Sequence, residues 1–140
     1  MKSPDEAYWD PAFDYCSISI WVPLQDATLD NGCMQFIPRS HRQKVVPHHS
    51  IGRDPRVHGL ETDAVDVSAA VACPVPAGGA TVHHCRTLHY AGPNRTGQPR
   101  RAYIMIFGTP RQPRTEPRSF PWRKQRRTAR EARAARHERK

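Results

Sequence analysis

Cysteines, aromatic residues and long apolar runs are all scarce in this chain of 140 residues, and each scarcity removes a class of protein. The four cysteines, Cys16, Cys33, Cys73 and Cys85, lie far apart with no CxxC pair. That spacing argues against a zinc knuckle or a disulfide framework and leaves buried free thiols as the expectation. No apolar stretch approaches the ~18 residues that a membrane span needs, and the mean hydropathy is −0.76. The opening Met1-Lys2-Ser3-Pro4-Asp5-Glu6 has no hydrophobic signal core, so a cytoplasmic protein with no membrane partner is expected. Aromatic residues make up 8% of the chain, and in the basic end segment only Phe120 and Trp122 interleave with charge, a weak footprint for nucleic acid.

Charge is present in quantity but is unevenly placed. Residues 1–110 hold ten basic and ten acidic side chains, whereas 111–140 hold twelve and three, so the second segment carries the whole net charge of +9. Two units follow: a body over 1–110 and a basic Pro/Arg-rich tail over 111–140. Pro110, Pro113, Pro117 and Pro121 keep the start of that tail extended, while Arg126 to Lys140, rich in Ala and Arg, could form a helix with no apolar stripe to bury. Phe120 and Trp122 are expected to tack the tail onto the body. Its basicity suits either solubility or sequence-tolerant binding to nucleic acid, the former being the ordinary role of a charged terminus.

In the body the hydrophobic period is two. Ile18, Ile20, Val22 and Leu24 alternate with Ser17, Ser19 and Trp21, and Ala102, Ile104 and Ile106 repeat the pattern in a strand opened by Arg100, so each stretch reads as a strand with one apolar face. Asn31-Gly32 is a hairpin signal between the Ile18 strand and Cys33 to Ile37. The stretch from His41 to Glu61 reads as a long loop framing a site. Val65 to Val67, Ala69 to Cys73 and Ala80 to Cys85, then Thr87 and Leu88, supply further strands, about six in all. That is fewer than the roughly eight of a closed jelly roll, so exposed β-edges open to self-association are expected.

The stretch Thr87 to Arg101 concentrates the chemistry. His89 stands on a strand just before the turn Ala91-Gly92-Pro93-Asn94, where Asn94 shapes the turn, and Arg100 opens the next strand. Imidazole is the commonest metal ligand and the guanidinium fork matches a carboxylate, so a metal chelated by a dicarboxylic acid would suit both. Arg100 and Arg101 project to opposite faces, as do His83 and His84, of which one is expected to line the pocket.

The blocks NGCMQFIPRSH, GGATVHHCRTLHYAGPN and the following RRA, in this order, resemble the phytanoyl-CoA dioxygenase family of non-haem iron, 2-oxoglutarate-dependent oxygenases, over about Asp5 to Gly108. The resemblance implies an all-β, double-stranded β-helix of jelly-roll, cupin-like type. It also implies Fe(II) as metal, 2-oxoglutarate as cosubstrate, and hydroxylation of an unactivated C–H bond in a small-molecule substrate. In that family an HxD pair on an early strand and a distal histidine hold the iron. By position Asp5 matches the aspartate, His89 the distal histidine, Arg100 the residue that pairs with the far carboxylate of 2-oxoglutarate, and Trp21 a residue that flanks it or packs in the core. The first histidine position is Ser3, whose hydroxyl is a poor iron ligand. The resemblance therefore implies a site one ligand short and a β-helix incomplete at the N-terminus, the C-terminal part of a dioxygenase domain. A catalytically inactive cupin-like scaffold and a nucleic-acid-associated protein are the alternatives.

Overall fold

The computed structural model describes residues 3–124; the helix expected within Arg126 to Lys140 lies outside the described residues. The described residues form ten strands, nine of them in the body: β1 Phe13–Asp14, β2 Ser17–Pro23, β3 Met34–Phe36, β4 His49–Ser50, β5 Leu60–Glu61, β6 Val71–Cys73, β7 Thr81–His84, β8 His89–Ala91, β9 Ala102–Gly108 and β10 Gln112–Pro113. They form two three-stranded antiparallel sheets, ordered β7-β2-β9 and β6-β3-β8, and two short antiparallel pairs, β1-β10 and β4-β5. Trp21 of β2 and Met34 of β3 share one buried cluster with Ala27, Cys33, Ala72, Ala91 and Ala102, which joins the inner faces of the two larger sheets. Among the described residues no helix is long and apolar enough to cross a membrane.

Register reverses the expected inner face of β2. The pairs Ser19↔His83, Ser19↔Ile106, Trp21↔Thr81 and Trp21↔Ile104 place the serine and tryptophan row beside the two histidine-bearing and isoleucine-bearing inner rows. Ser19 and Trp21 are accordingly buried, while Ile18 is 40% exposed. The Ile18, Ile20 and Val22 row lies instead with Val82, Tyr103 and Phe107 on the face turned away from the cavity that Ser19, Trp21, Ile104 and Ile106 line. The physical reason is what the inner space holds. It takes polar groups at the level of Ser19, so small serine side chains face in and the β-branched row faces out.

Asn31-Gly32 does not close a hairpin. β2 and β3 belong to different sheets, and the chain between them crosses from one to the other. Asn31 ties this crossing by accepting from the Thr28 amide at 2.8 Å and donating to the Asp26 carbonyl at 2.7 Å. Gly32 has φ +88°, and a Cβ there would lie 2.3 Å from the Gly92 carbonyl oxygen, so the glycine serves a close approach to the loop after His89. Val65 to Val67 form no strand, and Val71–Cys73 is all that pairs of the Ala69 to Cys73 stretch. The segment 111–124 packs on the body: β10 pairs with β1, Phe120 and Trp122 are buried with Ala7 and Leu60, and the Trp122 indole donates to the Ala7 carbonyl at 3.0 Å.

Candidate metal centre

Three segments converge between the sheets. A 3-10 helix, Asp5–Tyr8, enters beside β8, held by the Ser3↔His89 bridge and by the Glu6 amide donating to the Cys85 carbonyl at 3.1 Å. Asp5 thus opens a helical turn, where an early strand was expected. β7 belongs to one sheet and β8 to the other, so the turn between them carries the chain across the sandwich. That crossing brings His83 and His89 to face each other, although they stand six residues apart. Their ring centroids lie 4.3 Å apart.

Asp5 sits between these rings. Its Oδ2 is 3.6 Å from His83 Nε2 and its Oδ1 is 3.7 Å from His89 Nε2, while the Ser19 hydroxyl donates to Oδ2 at 2.5 Å. One donor atom from each of Asp5, His83 and His89 lies within 4.8 Å of the others. His89 Nδ1 stands 2.8 Å from the Thr87 carbonyl oxygen, which calls for a proton on Nδ1 and directs the Nε2 lone pair at the site. Neither nitrogen of His83 has a hydrogen-bond partner among the described residues, and the residue is 9% exposed. A buried imidazole without partners is costly. A cation between the three groups would satisfy it.

Ionisation matches that use. Burial opposes the charge on Asp5, but the neighbouring His83 and His89 rings and the Ser19 hydroxyl outweigh it and hold the carboxyl below its usual value. Burial, followed by the neighbouring His83, pushes His89 below the ordinary imidazole range, against the pull of Asp5 and the Thr87 carbonyl. An ionised carboxylate facing a neutral imidazole is the state a metal ligand pair requires.

These groups open into a cavity of about 570 Å³ whose lining includes Trp21, Met34, Arg100, Ile104 and Ile106. The Arg100 guanidinium carbon is 5.4 Å from the centroid of the Trp21 ring, within cation–π reach. Its Nε is buried with no hydrogen-bond partner among the described residues. Arg101 turns to the surface, with its amide donating to Gln25 Oε1 at 2.9 Å and its carbonyl accepting from Gln25 Nε2 at 3.0 Å. Asn94 lies outside the cavity and orders its own loop through Thr96 and Gln98. The His41 to Glu61 stretch does frame the site, since His58 and Gly59 line the cavity and His58 stacks on Tyr8. Ser3 lines it too, with its hydroxyl 3.3 Å from that of Tyr8.

Asp5, His89, Arg100 and Trp21, the residues expected from the sequence, thus meet in one cavity, and of His83 and His84 it is His83 that joins them. Strand alternation shows that the two histidines face opposite ways. The inward one could have been chosen from Ser19, which pairs with His83, only if the inner face of β2 had been read correctly.

Comparison with known proteins gives the arrangement a context. The profile of the family described as Phytanoyl-CoA dioxygenase matches residues 4–102. EvdO2 from Micromonospora carbonacea var. aurantiaca, solved alone and complexed with 2-oxoglutarate, is 49% identical over 86% of this chain and 49% of its own, with a TM-score of 0.82. A probable alpha-ketoglutarate-dependent hypophosphite dioxygenase of Stutzerimonas stutzeri is 31% identical over 97 residues, 66% of this chain and 33% of its own. The epimerase SnoN from nogalamycin biosynthesis, a non-heme alpha ketoglutarate dependent enzyme, is 28% identical with a TM-score of 0.54, over 76% of this chain and 36% of its own. The chain thus spans between a third and a half of the length of these relatives.

Proposed function

Since the chain belongs to the phytanoyl-CoA dioxygenase family, and its two facing antiparallel sheets are those of a double-stranded β-helix, we propose that it acts as an Fe(II)/2-oxoglutarate-dependent dioxygenase that hydroxylates a small molecule. The observation that carries this is His83, a buried imidazole without a hydrogen-bond partner, set against Asp5 and His89. Two imidazoles and one carboxylate with room beside them are the donor set that suits non-haem iron(II). Ser3 fills the family's first histidine position and keeps its hydroxyl on Tyr8. On this reading His83 takes its place, and the site is not one donor short.

Iron(II) with 2-oxoglutarate supplies the oxidising chemistry; the chain's own residues bind, orient and shield. Ser19 fixes one oxygen of Asp5, and the Thr87 carbonyl fixes the ring of His89. Arg100, held over Trp21 with an unsatisfied Nε, takes the far carboxylate of 2-oxoglutarate, for which its planar fork is matched. Met34, Ile104 and Ile106 give the cavity apolar walls. Tyr8, Trp9, His58 and Tyr90 line the rest of the cavity and meet the substrate.

The test is an anaerobic titration of the chain with Fe(II) and 2-oxoglutarate, followed by the visible charge-transfer band of the chelate, and then succinate release in air. A band that His83→Ala removes is expected. No band from the wild-type chain, or a band that His83→Ala leaves undiminished, overturns the assignment.

A further inference from the structure

Glu6 follows Asp5 in sequence but has a different employment. Its side chain is 2% exposed, and it lies outside the cavity lining. Oε1 accepts from Arg118 Nη1 at 2.6 Å, and Oε2 has no hydrogen-bond partner among the described residues but stands 3.9 Å from Arg86 Nε. Arg86 Nε is likewise buried without a hydrogen-bond partner. Burying a carboxylate costs several kcal/mol before pairing repays it, and an apolar side chain would often serve stability as well. The arrangement calls for another account.

That account lies in where the partners sit. Arg86 stands in the crossing between β7 and β8, three residues after His83 and three before His89. The Glu6 amide holds the same crossing through the Cys85 carbonyl. Arg118 belongs to the segment that follows β10, which also grips the Asp5–Tyr8 turn through the Trp122 indole and the Ala7 carbonyl. One buried carboxylate therefore links the segment bearing Asp5, the crossing bearing both histidines and the C-terminal strap. The three donor atoms come from only the first two of these segments. Their spacing depends on what clamps one to the other.

We propose that Glu6 is a positioning residue for the metal centre, with Arg86 and Arg118 as its anchors; this rests on the metal reading above. A donor displaced by even part of an ångström weakens a chelate, and partners of ligands typically govern 10–100-fold in metal affinity. The choice of variant separates position from charge. Removing a nearby cation by Arg118→Gln strengthens Mn(II) binding if only Coulomb attraction matters. Position requires the opposite.

The experiment measures Mn(II) affinity of the full chain by calorimetry and by loss of the free-ion EPR signal, at a temperature well below the melting point of every variant. We expect Arg118→Gln and Glu6→Gln to weaken Mn(II) binding by about tenfold or more, with Arg118→Lys recovering most of the loss. Arg86→Gln, at a more exposed partner, reads the same coupling if either of the first two variants fails to fold. Variants that melt earlier but bind Mn(II) as tightly as wild type, or more tightly, reduce Glu6 to a stabilising ion pair and overturn the proposal. A wild-type chain that binds no Mn(II) overturns the metal reading, and this inference with it.

Discussion

His49 and His83 each stand within 4 Å of a carboxylate, and each belongs to a cluster of histidine and acidic side chains. At His49, Nδ1 reaches the Ser50 carbonyl oxygen at 2.9 Å and Nε2 the Asp63 carboxylate at 3.1 Å, while Asp63 also accepts from Arg53 at 3.0 Å. Every nitrogen is in use, and the group lies near solvent. At His83 both nitrogens are buried without a hydrogen bond, Nε2 meeting only the Asp5 carboxylate at 3.6 Å, and a second imidazole shares that carboxylate. A metal must displace whatever a donor already holds, so the first cluster binds one only by breaking good contacts, whereas the second gains contacts that it lacks. Composition alone does not distinguish the two. The state of each lone pair does.

The sharpest way to break this contrast is to remove the unused imidazole. His83→Ala should weaken Fe(II) or Mn(II) binding by more than about 100-fold, beyond the usual effect of a ligand's partner; retention of wild-type affinity in an anaerobic titration would erase the distinction between the clusters. Arg100 extends the contrast to a cation whose Nε is also unused. Arg100→Ala should cost 2-oxoglutarate binding on the order of 2–5 kcal/mol, while Arg101→Ala, at the surface, should cost nothing. Calorimetry with the metal present reads both, and equal losses would refute the pairing.

A smaller effect tests buried nitrogens without any metal. His48 is buried against Trp122, with Nε2 lacking a partner, and burial holds its imidazole below the ordinary 6.5 despite the Val46 carbonyl. A base whose pKa is depressed on folding leaves stability whole above the unfolded pKa. As pH falls through that value the unfolded chain takes up the proton first, so stability is lost. Melting temperature should therefore decline from about pH 7 to about pH 5. His48→Phe should flatten part of that decline, leaving the share of His84 and His89, which are also depressed by burial. An unchanged slope would mean that His48 does not titrate with folding. Last and smallest, His49→Ala should leave metal affinity unaltered, its imidazole being already satisfied; a measurable loss would show that the surface cluster takes part.

Much of this was legible in the chain. Period-two alternation marked the strands found over Ser17–Pro23 and Ala102–Gly108, because side chains on a strand must point to alternate faces, although Arg100, expected to open the second, precedes it. The spaced blocks around His89 and Arg100 carried the family. What alternation cannot say is which of two faces turns inward. The row of Ile18, Ile20 and Val22 looked like the core side by hydrophobicity, and register with β7 and β9 put it outside. Asn31-Gly32 carried the chemistry of a tight turn but served a crossing between sheets, since local φ preferences fix the bend and not the strand that it leads to.

The sequence by itself determined that this chain makes strands and that it offers an aspartate, histidines and an arginine of the kind that hold a metal and a dicarboxylic acid. Only the tertiary structure decided that His83, and not His84 or Ser3, joins Asp5 and His89. The physical reason is that the turn at Cys85 to Leu88 carries the chain from one sheet to the other. Two histidines with separate strand partners thereby come to share one half-buried carboxylate, and no spacing along the chain encodes that meeting.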